Sequence, residues 1–208
     1  METIITIPNN VETIDARIDL INEEHAVIIM HPHPLMGGDM NQMIVESTQK
    51  VFAAKKISTL RFNFRGVGRS SGTHDKGIGE QDDLIAVMHY LQSRGVSKID
   101  IVGYSFGAWI LALASSKISY NRGWLIAPPV CFLDFSSITE VPGLAHIIAG
   151  TADDFAPPKM IHSFLPKWKT KAKIHTIVGA SHMFHENLDE FERVLKKTLR
   201  NKVIYLFG

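Results

Sequence analysis

The chain carries a single cysteine, Cys131, in 208 residues, and no excess of either charge, with 22 Lys and Arg against 21 Asp and Glu. One thiol makes no internal disulfide, which agrees with a reducing compartment, and Cys131 reads as a small buried hydrophobe. Balanced charge without a long run of one sign leaves no footprint for nucleic acid or an anionic membrane, so a small-molecule ligand is the expected partner. The opening residues Met1-Glu2-Thr3-Ile4-Ile5 lack a basic start and a long apolar stretch, and no run reaches the ~20 apolar residues that a membrane span needs. A soluble, cytoplasmic protein is therefore expected. Repeats, low-complexity tracts and linkers are also missing. With 45% hydrophobic residues, the length suits one core and is short for two enzyme domains, so residues 1–208 read as a single domain.

What is present is an alternation of strands and helices. Residues 3–7 and 13–20 alternate in polarity around the turn-forming Pro8-Asn9-Asn10, the pattern of an antiparallel hairpin with one solvated face. Short, nearly all-apolar runs follow at 26–30, 57–62, 99–102, 124–126, 144–148 and 174–178, as in parallel strands buried on both faces. Segments of helical period lie between and after them, at 43–55, 81–91, 106–115, 158–165 and 187–200. The alternation predicts an α/β fold of about eight strands, with right-handed crossovers placing helices on both faces.

One turn stands out. Gly103-Tyr104-Ser105-Phe106-Gly107 lies where the strand Lys98-Ile99-Asp100-Ile101-Val102 gives way to a helix. A G-x-S-x-G turn in that setting forces its serine into a sharp bend and pushes the hydroxyl out above the sheet. Ser105 is thus a candidate nucleophile, and the Phe106 N–H at the helix start is placed to meet an oxyanion. A serine hydroxyl needs a base in reach, itself held by a third group. Two later loops offer such groups after consecutive strands, Gly150-Thr151-Ala152-Asp153-Asp154 and Gly179-Ala180-Ser181-His182. Ligands of a parallel sheet gather outside the carboxyl ends of its strands, where all three loops meet.

Four motifs together, His31-Pro32-His33-Pro34 with Gly37-Gly38, the segment from Arg61 to Ser70, the serine turn, and the paired Asp and His loops, resemble the α/β-hydrolases over nearly the whole chain. The likeness is to small bacterial members with an H-P-H-P-x-x-G-G loop. The resemblance implies Ser105 as nucleophile, His182 as base and Asp153 as the acid. Asp153, four residues ahead of Pro157, has the family's spacing; the adjacent Asp154 does not. His185 competes with His182 but precedes Glu186 and Asn187 at a helix start, where a histidine is a capping or surface residue. The second oxyanion donor is expected in the loop after the third strand, where Pro32 and Pro34 have no N–H. His33 or Leu35 remains, and relatives with H-G-x-P here favour His33. His31 is expected to be hydrogen-bonded beneath the loop. His31, His33 and Asp39 alternate as metal ligands do, but zinc needs further ligands at suitable spacing; no metal and no cofactor are expected. Arg65 and Arg69 are expected to tie down the loop after the fourth strand.

The implied chemistry is acyl transfer on a carboxylic ester or thioester, with a peptidase or amidase on the same residues, or a silent binding protein, as alternatives. Leu35, Met36, Tyr104 and Met183 are expected at the substrate pocket, with Phe132, Leu133, Phe135 and Phe184 as further apolar surface. About 17 residues separate Ile126 from Leu144, too few for the lid that many relatives insert there. The apolar tail 203–207 is expected to dock on its own domain or on a second copy, which leaves monomer or homodimer open.

Overall fold

The computed structural model describes residues 2–10 and 12–199; the apolar tail 203–207 lies outside them. Eight strands form one sheet in the order β1-β2-β4-β3-β5-β6-β7-β8. The strands β1 (Thr3–Asn9) and β2 (Glu12–Asp19) pair antiparallel, and β2 lies antiparallel against β4 (Ser58–Phe62). From there every pairing is parallel, through β3 (His25–Met30), β5 (Lys98–Tyr104), β6 (Arg122–Ile126), β7 (Leu144–Gly150) and β8 (Lys173–Ile177). The eight strands, the antiparallel start and the parallel remainder are those expected.

The strand order decides where the helices go. The chain steps one way from β3 to β4 and the other way from β4 to β5, so right-handed crossovers send α1 (Met43–Ala53) to one face and α2 (Gly79–Ser93) to the other. α3 (Phe106–Ala114) continues in the second direction and packs on α2, while α5 (Leu188–Thr198) returns beside α1. α4 (Pro158–Phe164) lies against β8. Covered on both sides, β4 is buried at every position and β3 from Ala26 onward, which explains their unbroken apolar runs. β8 departs from that expectation: it is the sheet edge, and only Ile177 is buried in it. Under α5, the Trp124 Nε1–H donates to Thr198 Oγ1 at 2.8 Å, satisfying a buried indole.

The hairpin anchors the loop that follows β4. The buried Asp15 of β2 accepts from Asn63 Nδ2 at 3.1 Å and from Arg69 at 2.8 Å, and its backbone N–H donates to Ser70 Oγ. Arg65 donates to Asp83 of α2 at 2.8 Å, and its guanidinium fills the space that a side chain at Gly79 would take. Both arginines hold the loop in place, as their sequence setting suggests.

Two loops must approach closely for the carboxyl end of the sheet to be assembled. The Ala152 N–H donates to the Ala180 carbonyl at 3.0 Å, joining the turn after β7 to the turn after β8. A Cβ at Gly150 would collide with that same carbonyl. Gly150→Ala is therefore expected to cost about 1–3 kcal/mol as overpacking and to move the Asp153 and His182 loops apart. Urea unfolding together with the rate of a model ester checks it: an unchanged midpoint and rate would refute the packing argument.

Candidate active site

Ser105 sits between β5 and α3 with φ 52° and ψ −110°, a left-handed backbone that costs a non-glycine residue about 1–3 kcal/mol. Its neighbours show how the fold holds it there. A Cβ on Gly103 would strike the Gly107 carbonyl, and one on Gly107 would stand 2.6 Å from Met30 Cβ and 2.9 Å from Met30 O. Both glycines are thus needed for α3 to start flush against the end of β3. The Ser105 N–H donates to Ile126 O at 2.8 Å, and Ser105 O accepts from Ala108 and Trp109. With its backbone pinned on both sides, the serine has only its side chain free to face the crevice.

Three side chains from three loops meet in one hydrogen-bonded row. His182 Nε2 lies 2.8 Å from Ser105 Oγ, and His182 Nδ1 lies 2.9 Å from Asp153 Oδ2. The other carboxylate oxygen, Asp153 Oδ1, accepts from the N–H groups of Phe155 and Ala156, both at 2.9 Å. These two N–H groups fix the buried carboxylate and point Oδ2 at the imidazole. His182 is further fixed by the Tyr104 hydroxyl, which donates to the His182 carbonyl at 3.1 Å. Burial, with the Asp153 charge second, raises the Tyr104 pKa, so Tyr104 stays a neutral donor. Asp154 and His185, the competing neighbours, are both exposed and take no part in the row.

The loop after β3 forms the opposite bank. His31 is wholly buried, with Nδ1 donating to Pro32 O at 2.6 Å and Nε2 accepting from the Phe64 N–H at 3.0 Å. Both nitrogens are used within the fold, so His31 is a structural bridge between the loop and the end of β4. His33 O accepts from the Met36 and Gly38 N–H groups, and its ring Nδ1 accepts from the Leu35 N–H at 3.2 Å. That last bond engages the N–H of Leu35, leaving His33 as the backbone donor of the pair. The N–H groups of His33 and Phe106 have no partner among the described residues. The Gly107 N–H donates to His31 O at 3.2 Å, so the two donor-bearing turns are tied to each other.

A cleft of about 160 Å³ opens at Ser105, lined by His33, Met36, Phe106, Phe132, Phe155 and Met183 among others. Met36 and Met183 stand where the sequence suggests. Leu35 does not: it is 74% exposed and does not line the cleft. Tyr104 is buried behind His182 rather than lining the opening, because its hydroxyl is needed by the His182 carbonyl. Phe135 and Phe184 are core residues, packed on Trp168 and Phe191. Pro129, Phe132 and Leu133 come from the segment between β6 and β7, so the stretch too short for a lid serves as a wall. Phe155 was not singled out in sequence; its place two residues after Asp153 is the signal that would have found it. Cys131 is exposed, contrary to expectation. Its N–H binds Phe155 O at 3.0 Å, which holds the wall to the Asp153 loop and turns the thiol outward. No group of three or more His, Cys, Asp or Glu residues among those described could hold a metal ion, and no helix among them is long and apolar enough to cross a membrane.

Burial lowers the His31 pKa from the ordinary 6.5 to about 4. The unfolded chain takes up this proton at the higher pH, so between the two values it binds more protons than the folded form. Stability is complete above pH 6.5 and declines as pH falls towards 4. His146, lowered to about 4 by burial and by His175 beside it, acts in the same sense. Lowering pH from 7.5 to 5 is expected to cost about 2 kcal/mol through His31 alone. Urea unfolding at both pH values checks this, and His31→Asn, though weaker at pH 7.5, should show a smaller difference. An equal difference in the variant would contradict the assignment.

Known proteins share this fold. A solved α/β serine hydrolase homologue from Coxiella burnetii superposes with a TM-score of 0.87 at 32% identity, over 95% of this chain and 97% of that one. A serine hydrolase of Xanthomonas campestris described as lacking a lid gives 0.86 at 29% identity, over 96% and 94%. The uncharacterized protein RP471 of Rickettsia prowazekii is 32% identical over 183 residues, 83% of this chain and 77% of its own. The model of the dienelactone hydrolase family matches residues 65–208. That span holds Ser105, Asp153 and His182, and with it the chain belongs to the dienelactone hydrolase family of α/β-hydrolases.

Proposed function

We propose that the protein cleaves carboxylic esters by two-step acyl transfer on Ser105. The observation that carries this is the row Ser105–His182–Asp153, with 2.8 and 2.9 Å separations and a doubly supported carboxylate. His182 Nε2 accepts the Ser105 proton as Oγ attacks the carbonyl carbon, and the negative charge that develops on oxygen meets the N–H groups of Phe106 and His33. Collapse of that intermediate expels the alcohol, which takes the proton from His182. Water then repeats the sequence on the acyl-enzyme, delivering the acid and restoring Ser105. Asp153 keeps the imidazole in the tautomer with its proton on Nδ1 and balances the imidazolium charge.

Esters are favoured because the family's name describes the opening of a lactone, a cyclic ester. The cleft adds nothing that would protonate or strain an amide beyond what His182 does. A thioester reacts through the same steps, and comparing oxygen and sulfur esters of one acid separates the two.

A fluorophosphonate is expected to label Ser105, as located by mass spectrometry. Ser105→Ala and His182→Ala should lose several orders of magnitude in turnover, since the row acts as a unit, and Asp153→Asn somewhat less. Asp154→Asn and His185→Ala should keep wild-type rates. Turnover should also fall in acid, as a protonated His182 cannot accept the serine proton. Undiminished ester cleavage by folded Ser105→Ala would sink the reading.

A further inference from the structure

The shape of the cleft goes further than the reaction type. Apart from Ser105, His33 and His182, its lining is wholly apolar: Met36, Phe106, Pro129, Phe132, Leu133, Phe155 and Met183. No lysine, arginine or carboxylate side chain lines it. His33 adds no charge, because burial and the neighbouring His74 both lower its pKa. With its Nδ1 accepting from Leu35, the neutral ring carries its proton on Nε2. A charged substrate group placed here would lose its water and gain no counter-ion, the costliest kind of burial.

Size narrows the class again. Clefts that take drug-sized ligands measure about 300–1,000 Å³, and this one is about 160 Å³. A space this far below that range suits a short chain or a single ring rather than a long one. Two aromatic rings line one side of it. Phe132 and Phe155 stand edge to face, 5.6 Å between centroids, and Phe155 also packs 5.1 Å from the His182 ring. Phe132 faces the His33 ring at 6.3 Å across the cleft. Both phenylalanines are nearly half exposed, so they form a rim that closes the cleft without being part of the core.

We propose that the cleft is an acyl pocket for small, uncharged apolar acids, chains of about four to six carbons or a single ring, and that Phe132 sets its length. The inference rests on the acyl-transfer reading above. The acyl part is assigned to the cleft because it stays bonded to Ser105 Oγ after the alcohol has left, and the space into which Ser105 opens must hold it.

The test uses two series of esters on the whole protein. In the first, nitrophenyl esters vary in acyl length from two to twelve carbons, with the benzoate and the singly charged hemisuccinate included. In the second, butyrate is kept and the alcohol lengthens. The kcat/KM should rise about fourfold per methylene up to four to six carbons and then fall, and benzoate should be accepted. Hemisuccinate should lie at least roughly 100-fold below butyrate. Lengthening the alcohol should show no such cutoff. Phe132→Ala, an exposed position that leaves the reacting groups intact, should shift the optimum to longer chains, and Phe132→Trp should shorten it. A flat profile, an optimum at ten carbons or more, efficient cleavage of hemisuccinate, or a cutoff on the alcohol side would overturn the pocket. An unmoved optimum in both Phe132 variants would remove Phe132 from its role. Fluorophosphonate labelling of Ser105 distinguishes these failures from failure of the reaction itself, because it does not depend on acyl length.

Discussion

Everything at the carboxyl end of this sheet depends on how closely the start of α3 can press against the end of β3. Without side chains at Gly103 and Gly107, the backbone of the turn lies in van der Waals contact with Met30 and hydrogen-bonds His31 O. That single contact does three things. It forces Ser105 into a left-handed backbone, it brings the Phe106 N–H beside the loop holding the His33 N–H, and it leaves α3 packed flush on the sheet. The strain at Ser105 is sustained by the hydrogen bonds on either side of it and by the surrounding buried apolar residues.

The parts of this arrangement that were legible in the sequence are those governed by local rules. Unbroken apolar runs mark β3 and β4 because both faces of those strands are covered, and glycines two residues to either side of Ser105 mark a turn packed too closely for side chains at those two positions. Asp153 and His182 were legible because each follows a strand and because parallel strands bring their carboxyl ends together. The family resemblance selected between adjacent carboxylates where residue type could not. The structure adds the reason: Asp153 turns inward to the Phe155 and Ala156 N–H groups, whereas Asp154 faces solvent.

What the sequence hid are facts about which side of a loop faces out. Leu35 and Cys131 are apolar or nearly so, and hydrophobicity argues for burial, yet both lie on tight turns whose hydrogen bonds fix the backbone first. The Leu35 N–H is taken by His33 and the Cys131 N–H by Phe155 O, and the side chains go where those bonds send them. Tyr104 was misplaced for the opposite reason, since its hydroxyl is drawn to a carbonyl 78 positions away, at His182. β8 reads like its parallel neighbours because Ile174 and Ile177 supply the same short apolar pattern, although an edge strand needs only one face to be so.

That edge position has a consequence for how the molecule fails. Ser105 is mounted at the middle of the sheet, on β5 between buried neighbours, while His182 follows β8, the outermost and least buried parallel strand. Strands with few buried contacts open in partial fluctuations well below the free energy of whole-molecule unfolding. When the margin of this sheet frays, His182 departs while Ser105 stays in its folded place. Warming should therefore part His182 from Ser105 before the molecule melts, and cooling should reunite them without any refolding of the core.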